Sequence, residues 1–157
     1  MKIAIGSDHA GYALKESIVA FLKDQGHDVK NFGPYSAART DYPKYGRIVG
    51  QAVASGECEK GIVICGTGIG ISMSANKVPG VRCALCSEPV SAALSVRHNN
   101  ANVLAMGARM IGEEMAREIV RTWLEARFEG GRHADRVHLI GELDGSCPYH
   151  EEDFSVE

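Results

Sequence analysis

Gly61-Ile62-Val63-Ile64-Cys65 runs directly into Gly66-Thr67-Gly68-Ile69-Gly70, and the reading of this stretch decides the fold. The first half is apolar on both faces, as the central strand of a parallel sheet is. The glycines then mark a tight turn from strand to helix. A short helical stretch follows as far as Lys77, and Pro79-Gly80 ends it. On either side, short β-rich runs alternate with amphipathic ones. Residues 2–6 read as a first strand and 27–32 as a second, with a helix over 13–23 between them. That helix carries Leu14, Ile18, Phe21 and Leu22 on one face and stops at Gly26. Pro43 suits the first turn of a helix that buries Ile48, Ala52 and Val53. Residues 81–86 and 102–106 read as the fourth and fifth strands, with helices over 89–97, 113–128 and 135–143. The expected architecture is α/β: a single-domain three-layer α/β/α sandwich around a five-stranded parallel sheet.

A chain of 157 residues suits one domain with a sizeable core. Apolar residues at 45% and charged residues at 24% exclude a disordered chain. No apolar run reaches the ~18 residues of a membrane helix. The first strand meets Asp8 and His9 almost at once, so no signal peptide is expected. Five cysteines without framework spacing point to a reducing compartment, and hence to a cytoplasmic protein. Residues 142–157 carry six acidic groups and no Lys or Arg, leaving the rest slightly basic. The functional domain is expected over residues 1–142, with 143–157 as an acidic tail. That basic excess is far too small for nucleic acid, but it suits binding of a small anion.

In an open parallel sheet, ligands bind at the C-terminal ends of the strands. The first strand ends in Ser7-Asp8-His9-Ala10-Gly11 and the third in the glycine loop. That loop matches neither the dinucleotide fingerprint, for which Gly66-x-Gly68 lacks a glycine at 71, nor a P-loop, which needs Gly-Lys-Ser/Thr. Its backbone N–H groups can still face an anion; a plain tight turn is the alternative. Cys65 is by default a small core hydrophobe, but its place at a strand end before a helix favours a thiolate base. Cys83 and Cys86 look like a redox or metal pair. Their odd spacing puts them on opposite faces of a strand, so they read as structural. Cys58 and Cys147 offer no partner. His98-Asn99-Asn100-Ala101-Asn102 is a polar cluster before a strand, or simply a helix end and turn. Arg132 and Arg136 share one face of a helical turn, which fits a phosphate or an ordinary solvated surface.

Together these segments resemble the ribose/galactose phosphate isomerase family, type B. The matching pieces are Gly6–Gly11, Asp41-Tyr42-Pro43, Ile64–Gly70, Ser74–Gly80, His98–Leu104 and Gly130–Arg136, in order along nearly the whole chain. The resemblance implies a Rossmann-like fold and a metal-independent, cofactor-free aldose–ketose isomerase. The substrate pair it implies is ribose 5-phosphate and ribulose 5-phosphate. By resemblance Cys65 is the base between C1 and C2, assisted by Thr67, and His98 opens the sugar ring. Asp8 holds the ring oxygen or hydroxyls. Gly66, Gly68, Ile69 and Gly70 line the enediolate. His9, Arg132 and Arg136 match phosphate contacts, with Tyr42, Asn99 and Arg109 as further sugar or phosphate contacts. One branch of the family uses a glutamate after the loop as base; Cys65 and Ile71 place this chain in the cysteine type. A hexose 6-phosphate isomerase of the allose type and a non-catalytic phosphosugar-binding module are the alternatives. A nucleotide-binding protein of flavodoxin-like shape rests on fold analogy alone.

Chain direction adds one expectation. Asp8 and Cys65 end strands, whereas His98 and Asn99 follow a helix that runs back ~15 Å at 1.5 Å per residue. The two groups should lie at opposite sheet edges. A shared site then needs a homodimer, and a dimer of dimers is left open. No nucleic-acid or membrane partner is expected.

Overall fold

The computed structural model describes residues 1–155. Five strands form one parallel sheet: β1 (Lys2–Ser7), β2 (Asp28–Asn31), β3 (Lys60–Cys65), β4 (Cys83–Leu85) and β5 (Val103–Gly107). Their spatial order is β2-β1-β3-β5-β4. Six helices alternate with them: α1 (Tyr12–Asp24), α2 (Tyr42–Ala54), α3 (Ile69–Ala75), α4 (Pro89–Asn99), α5 (Glu113–Glu125) and α6 (Arg132–Asp144). Among the described residues no helix is long and apolar enough to cross a membrane.

The period of two in the strands builds both cores at once. Ile3, Ile5, Ile62, Ile64, Leu104 and Met106 point to one side and pack with Ile18, Leu22, Val96, Ile119 and Trp123 of α1, α4 and α5. Ala4, Val63, Cys65, Val103 and Ala105 point to the other and meet Val49, Val53, Ile71 and Ala75 of α2 and α3. The three-layer expectation is met, with α6 packed outside α4. Cys83 and Cys86 fall in the two different cores, as their spacing implied. Burial raises both thiols, that of Cys86 to about 11, and all five cysteines are free.

Element ends depart from the sequence reading for local reasons. The fifth helix stops at Glu125 rather than Phe128. Ala126 turns extended, and Arg127 Nη1 donates to the carbonyls of Leu124, Glu125 and Ala126 at 3.0–3.1 Å. The fourth strand begins at Cys83 because the Arg82 N–H donates to the Asn102 side chain at 2.8 Å, not to a strand. Helix α6 starts at Arg132, directly after Gly131, and runs through Asp144. Asp144 Oδ2 accepts from the Gly80 N–H at 2.8 Å, and the buried Glu142 accepts from His150 N at 2.7 Å. The start of the acidic segment is therefore tied to the body of the protein.

Candidate active site

The sheet order creates one switch point. From β1 the chain crosses to β2 on one side and then returns to β3 on the other. In an open α/β sheet such a point, beyond the C-terminal ends of β1 and β3, is where ligands bind. Ser7 pairs with Ile64, so Asp8 and Cys65 leave adjacent strands side by side. The Asp8 N–H donates to the Ile64 carbonyl at 3.1 Å and extends the ladder by one step. The Asp8 side chain is buried, and its Oδ1 accepts from Gly11 N–H at 3.0 Å. His9 Nδ1 lies 3.1 Å from the Thr40 carbonyl oxygen and 3.4 Å from the Thr40 backbone nitrogen, so Thr40 holds the ring by its Nδ1 side.

The Cys65 Sγ is buried and accepts a hydrogen bond from Gly68 N–H at 3.1 Å. That bond is possible because Gly68 is left-handed, with φ +79°. A Cβ on Gly68 would stand 2.4 Å from Leu85 Cδ1 and 2.8 Å from the Met106 backbone, so only glycine fits. Thr67 Oγ1 accepts from Ile69 N–H at 3.3 Å. Cys65 pairs with Gly107 on β5, and the Arg109 N–H donates to the Gly66 carbonyl at 2.9 Å. The Arg109 guanidinium consequently lies over the turn, 3.3 Å from where a Gly66 Cβ would be. On the other flank the Tyr42 ring rests on Gly70, within 2.5 Å of the position a Cβ would take. A groove of about 210 Å³ runs along this edge, lined by Thr67, Ile69, Leu85, Ser87, Gly107 and Met110. The larger hollows, of about 530 and 470 Å³, lie on the outer side of α2 and hold none of these groups.

Ten of the residues singled out in the sequence thus gather at one edge: Asp8, His9, Tyr42, Cys65, Gly66, Thr67, Gly68, Ile69, Gly70 and Arg109. The other four do not join them. Helix α4 carries His98 and Asn99 back to the opposite edge, where Lys60 Nζ, at the first residue of β3, donates to the Ala101 carbonyl at 2.9 Å. Cys65 ends that same strand, five steps of ~3.3 Å from its first residue. His98 stacks on His133 of α6, with ring centroids 4.4 Å apart and planes 9° from parallel. Glu129 faces both rings: its Oε2 lies 3.7 Å from His98 Nε2 and 3.8 Å from His133 Nε2. Arg132 and Arg136 are exposed on the first turns of α6 beside this cluster. His133 is held below the ordinary imidazole value, first by desolvation and then by the charges of His98 and Arg132. Asn99 borders a hollow of about 310 Å³ with Asn76, Arg82, Cys83, Ser95 and Ile140.

Glu129 and His133 were missed as site residues by the sequence reading. His133 lies inside the Gly130–Arg136 segment, and Glu129 reaches both rings only because α6 docks on α4, which no local sequence signal marks.

Comparison with known proteins shows the family and the fold. The family model described as Ribose/Galactose Isomerase matches residues 3–140. Ribose-5-phosphate isomerase B of Escherichia coli K12 is 53% identical over 143 residues, covering 91% of this chain and 96% of that protein. The structure of Clostridium thermocellum ribose-5-phosphate isomerase B superposes with a TM-score of 0.92 at 55% identity, covering 93% of this chain and 99% of that one. The Mycoplasma genitalium enzyme, solved with bound ribulose 5-phosphate, gives 0.88 at 41% identity over 92% and 96% of the two chains. This chain belongs to the ribose/galactose isomerase family.

Proposed function

We propose that this chain is an aldose–ketose isomerase that interconverts D-ribose 5-phosphate and D-ribulose 5-phosphate through an enediolate. The observation that carries the chemistry is the Cys65 sulfur, buried at the switch point and facing the Gly68 N–H at 3.1 Å. An accepting sulfur in that position suits a thiolate base. The relatives at 53% and 55% identity, both named as ribose-5-phosphate isomerases, support the pentose substrate.

The thiolate takes the proton from C2 of the open-chain aldose, and the electron pair moves into the C1 carbonyl to leave an enediolate. A proton passes from O2 to O1, and the thiol then returns its proton to C1, which yields the ketose. Backbone N–H groups of the 66–70 turn, with Thr67, face the developing oxyanion and stabilise it without reorganising. No step needs a metal or an organic cofactor. Asp8 binds sugar hydroxyls, and Arg109 and Tyr42 border the sugar or phosphate. Ring opening needs a group that both gives and takes a proton near neutrality, the property of an imidazole, and His98 is assigned to it. His9, Arg132 and Arg136 bind the phosphate.

His98, Asn99, Arg132 and Arg136 lie at the opposite edge from Cys65, which supports a homodimer whose sites are shared between subunits. A two-fold axis brings the C-terminal edge of one subunit to the N-terminal edge of its partner in both directions at once. A cytoplasmic location belongs to the same proposal.

The test is a panel of aldose phosphates assayed for ketose formation with and without chelator. Ribose 5-phosphate should be the preferred substrate, chelator should have no effect, and free ribose should react very poorly. Preference for a hexose 6-phosphate would move the chain to the allose-type branch, and absence of turnover on every sugar would leave a binding module.

A further inference from the structure

The cluster around His98 contains a carboxylate that the reaction scheme does not use. Glu129 sits on the loop between α5 and α6 and is fastened from one side: Arg97 Nε and Nη2 both approach its Oε1 at 2.6 Å. The Glu129 N–H also donates to the Arg97 carbonyl at 3.0 Å. Arg97 holds the carboxyl below the usual carboxylate range, so it stays ionised. With Oε1 occupied, Oε2 is the oxygen that remains, and it faces Nε2 of His98 at 3.7 Å and Nε2 of His133 at 3.8 Å. His133 closes the other side of the His98 ring by stacking on it, and only 12% of its side chain is exposed against 39% for His98.

We propose that Glu129 is a positioning residue for His98, fixing the plane of its imidazole and keeping the proton on Nε2, so that Nδ1 is the nitrogen that exchanges protons with the sugar. A carboxylate behind an imidazole favours the tautomer with N–H directed at it, and a stacked ring removes the remaining rotational freedom. At 3.7 Å the carboxylate acts on the neutral ring through its charge, favouring the tautomer whose N–H points toward it. The same three groups, all within 4.8 Å of one another, have the types of a divalent-metal site. Their surroundings argue otherwise: Arg97 already occupies half of the carboxylate, and Arg132 and Arg136 add positive charge at His133. Such a field repels a dication and favours an anionic substrate.

The assignment rests on the isomerase reading, so its test needs one arm that does not use turnover. In 15N-labelled protein, the neutral His98 ring should show the Nε2–H tautomer in wild type and a mixture of tautomers in Glu129→Gln. In the isomerase assay Glu129→Gln should lose roughly tenfold in kcat with KM changed less than about twofold, the pattern of a lost orientation rather than lost binding. Glu129→Asp keeps the charge but shortens its reach, and it should fall between the two. In a His98→Ala background Glu129→Gln should cost nothing further. An unchanged tautomer, or the same tenfold loss when His98 is already absent, overturns the proposal. Full activity of His98→Ala alone would instead refute the ring-opening assignment, with the tautomer measurement still deciding what Glu129 does. Zn²⁺ bound at micromolar concentration by wild type and released in Glu129→Gln would replace positioning by metal coordination.

Discussion

Cys65 owes its hydrogen bond to the three residues that follow it. The strand delivers it buried to the sheet edge, and the left-handed Gly68 turns its N–H back to the sulfur at 3.1 Å. Cys83 and Cys86 differ in that burial raises both thiols and neither sulfur accepts from a backbone N–H of the 66–70 turn. If the sulfur moves the proton between C2 and C1, Cys65→Ala should lose roughly 10³-fold in kcat, the scale of a positioned base. Substrate affinity should change little. Cys65→Ser should fall nearly as far, because a hydroxyl is scarcely ionised near neutral pH. Steady-state kinetics with a binding measurement on each variant decides it, and near wild-type turnover in the alanine variant would remove Cys65 from the mechanism.

The turn and the strands that frame the site can be probed as elements. Gly68→Ala places a Cβ against the Met106 backbone in a left-handed conformation, which should destabilise by on the order of 2–3 kcal/mol. Gly26 has the same φ of +79° but open space around it, so Gly26→Ala should cost only about 1 kcal/mol. Urea unfolding of both variants separates packing from backbone strain; equal costs would show that the turn can yield. At the other end of β3, Lys60 lies 4.5 Å from the Trp123 ring centroid, and desolvation lowers its ammonium from 10.5 to about 8. Between those values the unfolded chain binds more protons than the folded one, so this group makes stability rise with pH across that window. Lys60→Met should remove that part of the rise, and identical slopes in wild type and variant would contradict the burial argument. These elements also show what could be read in advance. The strand 61–65, the turn 66–70 and Asp8 were legible because strand period, glycine and chain direction are all local signals. Glu129 was not, since its meeting with His98 spans 31 residues and depends on how α6 docks on α4. Nor was the end of α5, which a single guanidinium sets.

Across the whole molecule, the two groups of candidate site residues lie at opposite ends of β3, and the whole height of the sheet stands between them. An imidazole on α4 cannot cross that distance, whereas a neighbouring subunit can present its own His98 to the Cys65 edge. If each site takes Cys65 from one chain and His98 from the other, the two lesions can be sorted into one site by mixing. Cys65→Ala and His98→Ala proteins, each reduced to a small residual activity alone, are combined and allowed to exchange subunits. In the heterodimer one site receives both substituted residues, and the other receives an intact Cys65 and an intact His98. Random exchange of equal amounts makes half of the dimers heterodimers, so about one quarter of wild-type activity per site should return, since a two-fold dimer holds two equivalent sites. Native mass spectrometry measures the heterodimer fraction on the same samples. Activity that rises in proportion to that fraction fits the shared arrangement. Complete exchange with no return of activity would place Cys65 and His98 in one chain's site and require α4 to move across the sheet edge.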